Sequence, residues 1–525
     1  MNSRILLTRP FSLAAILLTA TGLSAQTEIP RDDVTQESLR FTKVYSLVEQ
    51  NLAEPVDPDR GIFDGGIRGM LSVLDPFSSF LDKDQFQQLK DQTRGKTRGF
   101  GSILYVQPGK IMVLQAAEGS PAWRAGLGPG DEIVEVNGTR IDRLDLESLV
   151  RLLQRARSQR VRLGVIRPGQ VVAQVFELFP AEVNMPSVDQ AFLLEPGIAY
   201  LHVSGFDQKT PREVAAAVER LGGAELKGVL LDLRNNFGGV LESAVQAASL
   251  FLPPDQTVLT VRGRAFPERT ERTRAVAARF EMPLIVLING NTASASEVLA
   301  AALQEHDRAL IVGEPSFGKG VVETVSELSE GTGLVLTTAQ YFTPSGRSLQ
   351  RPIPGTLLAE ATAGADPASE ATPEFRTAGG RPLTSGGGIT PDVVAPGREL
   401  DPWVTFLNQR GTFTTFSSEF LTTGERVNRS FEPDAPVLAR FRDFLDRQRI
   451  RVPEEYWGED QDFLKLRIKT ELFNLVFGLD VGEEIETRSD PQVRKAASLF
   501  PKIPQLLKPS APKKKSSPSK PTGPQ

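Results

Sequence analysis

Pro283-Leu-Ile-Val-Leu-Ile-Asn-Gly-Asn-Thr-Ala-Ser-Ala-Ser-Glu297 is followed by Ser316-Phe-Gly-Lys-Gly320, and these two blocks decide the reading of the chain. The run at 283–288 is apolar and rich in β-branched residues, which predicts a buried strand. After Glu297, Val298, Leu299, Ala302 and Leu303 recur at helical spacing. Ser294 and Ser296 therefore sit on a strand–turn–helix junction. Backbone N–H groups at such a helix start are unpaired and partly positive, which suits a developing oxyanion. Lys319 follows Ser294 by 25 residues, on a loop with glycine on both sides. A serine at a helix start and a lysine on a tight loop suggest a Ser/Lys nucleophile pair. Serine clusters are also common as plain helix caps, and a Phe-Gly-Lys-Gly loop can be a solvated turn, so spacing alone leaves both readings open.

Composition narrows the chemistry. The 525 residues contain no cysteine and two histidines, His202 in a predicted strand and His306 at a predicted helix C-cap. That excludes a thiol nucleophile, an HExxH site and a Cys/His metal cluster. Lysine is then the natural base, because burial can depress its pKa. Lys plus Arg is 60 against 65 for Asp plus Glu, a net charge of −5, which gives no argument for nucleic acid or an acidic membrane surface.

Further motifs make a resemblance specific: Gly69-Met-Leu-Ser-Val-Leu-Asp-Pro-Phe-Ser-Ser-Phe80, Leu231-Asp-Leu-Arg-Asn-Asn-Phe-Gly-Gly239, Thr343-Pro-Ser-Gly-Arg-Ser348 and Gly388-Ile-Thr-Pro-Asp392. With the two opening blocks, they resemble the C-terminal processing peptidases, or tail-specific proteases, across roughly residues 35–400. The resemblance implies an α/β, Clp-protease/crotonase-like peptidase core carrying an inserted PDZ domain, with helical N- and C-terminal regions. It implies Ser294 as nucleophile and Lys319 as base, with an oxyanion hole from the N–H groups of Gly239 and Ala295. It implies no metal or cofactor. The family has a glutamine four positions after its lysine, where this chain has Glu323. An ionised Glu323 would favour the ammonium form of Lys319; a protonated one would behave like glutamine. The charged form is the expectation, since a neighbouring lysine lowers a carboxylate's pKa.

Around this core, residues 1–25 read as a secretory signal peptide. Arg4 and Arg9 precede the apolar Phe11-Ser-Leu-Ala-Ala-Ile-Leu-Leu-Thr-Ala-Thr-Gly-Leu23, with Ser24 and Ala25 after it. An uncleaved anchor is the other reading. The mature protein is then expected to be exported, periplasmic or cell-envelope associated, with no integral membrane segment. Residues 26–95 read as a helical lead-in, with Phe41, Val44, Tyr45, Val48 and Leu52 on one face. By the resemblance such helices pair subunits, so a homo-oligomer is a partner expectation; by physics alone they could pack on their own core.

Residues 96–180 alternate short strands and turns around one helix bearing Leu146, Leu149, Val150 and Leu153, and resemble a PDZ domain. Its peptide-binding nest would be Gly99, Phe100, Gly101, Ser102 and Ile103, whose other reading is an ordinary glycine turn. The core is placed at 181–400 with a surface insertion at 351–388, a helical region at 401–507 and a disordered tail at 508–525. The function expected is an exported serine endopeptidase acting on protein or peptide tails with free C-termini. The alternative is a PDZ-bearing peptide-binding scaffold with a silent site.

Overall fold

The protein is described here from a computed structural model, which covers residues 31–508 apart from 56, 158, 266, 278, 357–374 and 460. Leu284–Ile288 is a strand with all five side chains buried. Successive side chains on a strand point to opposite faces, so a run without polar alternation needs cover on both. It has that cover. Leu284, Val286 and Ile288 join one apolar cluster, whereas Ile285 and Leu287 join another on the far side.

The sheet containing this strand has six members in the order Val188–Glu195, Ile198–Val203, Gly228–Asp232, Leu284–Ile288, Leu310–Gly313 and Val393–Val394. All pairings are parallel except the first, an antiparallel hairpin. Helices Thr210–Leu221, Leu241–Ser249 and Ala295–Glu305 cover one face through Val214, Val218, Ala244, Val298 and Leu299. The other face is covered by the end of the chain, where Val493, Ala496, Leu499, Phe500 and Ile503 pack on Leu230, Ile285 and Val312. Beside this lies a five-stranded antiparallel sheet built on the long strand Gly333–Phe342, which pairs with Ser79–Leu81, Val321–Glu327 and Thr257–Arg262. The lysine block therefore leads directly into a strand of this second sheet.

The region expected to be a PDZ domain is an antiparallel sheet of Ser102–Gln107, Lys110–Ala116, Glu132–Val136, Val161–Ile166 and Gln174–Leu178, with Thr139–Arg140 attached. Helix Leu146–Arg157 closes its core against Ile111, Val113, Ile133 and Val161. The chain enters and leaves it through a stem in which Lys96–Gly99 pairs with Ala181–Asn184.

Helix Arg31–Asn51 forms over the amphipathic segment, but Val44, Val48 and Leu52 remain exposed instead of packing on the chain's own core. Signal-peptide residues 1–25 and nearly all of the tail lie outside the described residues. Within the stretch expected to be a surface insertion, residues 375–388 depart from that description. Arg381 is buried and ion-paired to Asp307 at 2.7 Å and to Asp392, because it closes over the end of helix Ala295–Glu305.

Candidate active site

Ser294 stands between strand Leu284–Ile288 and helix Ala295–Glu305, at φ 60° and ψ −120°. A non-glycine residue at positive φ outside the left-handed well is strained by a few kcal/mol at most, roughly 1–3, and persists where its surroundings hold it. Here they do. Its N–H donates to Glu297 Oε2 at 2.8 Å, its carbonyl accepts from the Tyr341 hydroxyl at 3.3 Å, and Ala293 N–H donates to Asn236 O at 3.0 Å. The Ser294 side chain is fully buried, and its Oγ has no hydrogen-bond partner. Ser296 differs, since its hydroxyl is spent on Asn236 O at 3.0 Å.

The turn 234–239 is pressed against this junction. Gly238 has φ +95°, and a Cβ there would lie 2.8 Å from Ser294 Cβ and 2.9 Å from Ala295 N. Gly239 has φ +139°, and a Cβ there would lie 2.0 Å from Phe206 O. Only glycine fits at both. Among the described residues no acceptor takes the N–H of Gly239 or of Ala295. Two uncommitted donors thus lie on the two turns that meet at the buried Ser294.

Lys319 is brought to the same place by shared anchors. Glu297, fully buried, accepts from Ser294 N–H, from Ser316 Oγ at 2.5 Å, from Gly318 N–H at 2.8 Å and from Lys319 N–H at 2.9 Å. Burial pushes its carboxyl up to about 7 against the pull of those donors. The Tyr341 hydroxyl also donates to Lys319 O. The serine turn and the lysine loop are therefore bonded to the same two side chains.

The Lys319 side chain is only 5 % exposed, with Nζ 2.7 Å from Glu323 Oε1 and 4.5 Å from the centre of the Phe77 ring. Glu323 follows an irregularity in the register of Val321–Glu327. It is fully buried, and neither oxygen meets hydrogen-bond geometry despite the short ion-pair distance. Burial pushes its pKa up to about 7; Lys319 pulls it down and Asp75 pushes it up. The expected charged form is thus opposed by burial near neutral pH.

Ser294 and Lys319 share the anchors Glu297 and Tyr341, Glu323 pairs with Lys319, and the turn bearing Gly239 meets the Ser294–Ala295 junction. Residues 99–103 stand apart, at the start of the PDZ-like sheet. Gly101 has φ +74° where Ser120 leaves no room for a Cβ, and the carbonyls of Phe100 and Gly101 accept from Ala122 and Ala117 N–H. Sequence reasoning missed Glu297, Tyr341 and Phe77. For Glu297 a signal existed, a glutamate three residues after a serine at a helix start. Tyr341 sits in a remote strand with no local mark, and Phe77 lies inside the quoted Gly69–Phe80 motif, which gave no pointer to the lysine.

Residues 197–356 match Peptidase family S41, and residues 112–167 match the PDZ domain. The carboxyl-terminal-processing protease of Synechocystis sp. is 35 % identical over 291 residues, 54 % of this chain and 68 % of that protein. The carboxy-terminal-processing protease of Bartonella bacilliformis is 33 % identical over 348 residues, 65 % of this chain and 78 % of that protein. A solved photosystem II D1 C-terminal processing protease is 27 % identical, covering 69 % of this chain and 87 % of that one. Its TM-score is 0.38, so the assignment rests on the sequence relatives. The chain belongs to the carboxyl-terminal processing proteases. It is a serine-type peptidase with an α/β core, a PDZ domain and a helical C-terminal region.

Proposed function

We propose that the protein is an exported endopeptidase that captures free C-terminal tails on its PDZ domain and cleaves them with a Ser294/Lys319 dyad. The observation that carries this reading is the strained, buried Ser294 with an unpartnered Oγ beside the uncommitted N–H groups of Gly239 and Ala295. Ser294 Oγ attacks the scissile carbonyl carbon while the neutral Lys319 amine takes the hydroxyl proton. The carbonyl oxygen, now negative, accepts from the two N–H groups, a stabilisation worth about 10²–10³ in rate per donor in comparable sites. Collapse breaks the C–N bond, and Lys319 returns the proton to the leaving amine. Water then hydrolyses the acyl-enzyme with Lys319 again as base.

Export is supported by the order of residues 1–25, and among the described residues no helix is long and apolar enough to cross a membrane. Ser294→Ala in the mature chain is expected to abolish hydrolysis of an unstructured peptide while leaving tail binding intact. Ser296→Ala should keep hydrolysis. Activity in the first variant with loss in the second would reverse the assignment.

A further inference from the structure

The motif Leu231–Gly239 contains an arginine that the proposed chemistry does not use. The Arg234 side chain is 13 % exposed and held on three sides. Its Nε lies 3.0 Å from both Asp232 oxygens, and one terminal nitrogen lies 2.6 Å from Asp232 Oδ2. Its other terminal nitrogen lies 2.9 Å from Asp490 Oδ2 and 2.6 Å from Gln492 Oε1. The backbone is gripped as well. Arg234 N–H donates to Asp232 Oδ1 at 2.9 Å, and its carbonyl is 3.2 Å from His202 Nε2. Burial alone would lower the His202 pKa, but Asp189, Asp232 and that carbonyl raise it to about 9, so both ring nitrogens donate at neutral pH.

Asp490 and Gln492 belong to the C-terminal region, outside the stretch that matches the peptidase family. Asp490 also caps helix Pro491–Ala497 through its other oxygen, and Gln492 Nε2 donates to Ala395 O at 2.6 Å. The helix's Val493 and Ala496 are buried on the core sheet, so the anchor is rigid. Arg234 in turn begins the turn that ends at Gly239, and Gly238 is in contact with the Ser294 junction.

We infer that Arg234 is a positioning residue for the Gly239 donor, and that the C-terminal region completes the active site by anchoring it through Asp490 and Gln492. This rests on the Ser294/Lys319 reading for its catalytic meaning. Loosening the anchor lets the turn shift against Ser294, and a displacement near 1 Å in such a site costs on the order of 10²-fold in rate. Arg234 is committed to Asp232, Asp490 and Gln492 and acts through the Gly239 donor, which serves the transition state, so the loss falls on kcat.

The test combines Asp490→Asn with Gln492→Leu in the full mature chain. Asparagine keeps one oxygen for the helix cap and replaces the other with a donor, which cannot pair with a guanidinium. Val493→Ala weakens the same helix without touching Arg234 and calibrates simple destabilisation. The expected result is a kcat about 10- to 100-fold lower with KM within about twofold, and faster amide exchange at residues 235–240. Val493→Ala, at matched loss of Tm, should keep kcat, and restoring Asp490 alone should recover part of it. An unchanged kcat in the double variant, or an equal fall in Val493→Ala, overturns the inference. If the parent chain cleaves no peptide, the dyad reading fails, and exchange decides the anchor by itself: unchanged protection at 235–240 overturns it, and selective loss there sustains it.

Discussion

Lys319 Nζ lies between the Glu323 carboxyl at 2.7 Å and the Phe77 ring at 4.5 Å. An ionised carboxylate and a ring face both favour the ammonium form, whereas a base must be neutral. Glu323 titrates near 7, so its opposing charge grows as pH rises through neutrality. Glu323→Gln removes that charge and keeps the shape. It should move the rising limb of kcat/KM to lower pH and increase the rate near pH 7. A limb that stays put or moves up would sink the electrostatic account.

Stability offers an independent reading of the same carboxyl. A pKa raised from 4.5 to about 7 means the folded state holds the proton after the unfolded chain has lost it. Stability from this group is therefore lost as pH rises from 4.5 to 7 and is flat above. The Gln variant should show a shallower decline of Tm over that window, the remainder coming from Glu297, which is raised to about 7 as well. The sequence named Ser294 and Lys319 by residue type, spacing and the family motifs, and Glu323 through the family resemblance. Its expectation of a charged Glu323 took no account of burial or of Asp75, both of which depend on how distant segments pack.

Two turns meet at the scale of elements. The strand at 284–288 was legible because five consecutive apolar side chains suit only a strand covered on both faces. The helix after Ser294 was legible from its periodicity. Their contact with the 234–239 turn was not, since it depends on close approach of backbone. Gly238→Ala tests that contact. A Cβ at 2.7–2.9 Å from Ala293 O, Ser294 Cβ and Ala295 N must push one turn away. We expect kcat to fall by about 10²-fold or more, with tail binding kept and a modest loss of Tm. Steady-state kinetics and thermal unfolding would measure both, and a near-normal kcat would show that the two turns need not touch.

Two further motifs show the same limit. Thr343-Pro-Ser-Gly-Arg-Ser348 and Gly388-Ile-Thr-Pro-Asp392 marked the family, yet their role is structural. Arg347 is fully buried and paired with Glu305 at 2.6 Å, and Asp392 binds Ile311 N–H at 2.8 Å and pairs with Arg381. They hold the far end of the helix that Ser294 begins.

Across the whole molecule the C-terminal region touches both functional parts. Its core is aromatic, with Phe413, Phe416, Phe441 and Phe444 in mutual contact. Leu475 and Leu479 pack on Tyr105, Met112 and Leu114 of the PDZ domain, and the Tyr105 hydroxyl donates to Gly411 O at 3.0 Å. The domain is thus held from the side of strands Ser102–Gln107 and Lys110–Ala116. If residues 99–103 hold a tail carboxylate, amidating the substrate's last residue should weaken cleavage, seen as a higher KM with kcat little changed. Equal kinetics for acid and amide would remove that role from the PDZ domain.

By itself the sequence determined the family, the α/β core and the presence of the PDZ domain, and it named the residues proposed for the centre. Each is written in local patterns: apolar runs, helical periodicity, glycines at tight turns and short motifs in order. Only the tertiary structure decided that Glu297 and Tyr341 bind the serine and lysine turns together and that Glu323 is buried. It alone placed Asp490 on Arg234 across a separation of 256 residues. Hydrogen bonds and desolvation depend on which distant atoms come within about 3 Å, and no local pattern encodes that distance.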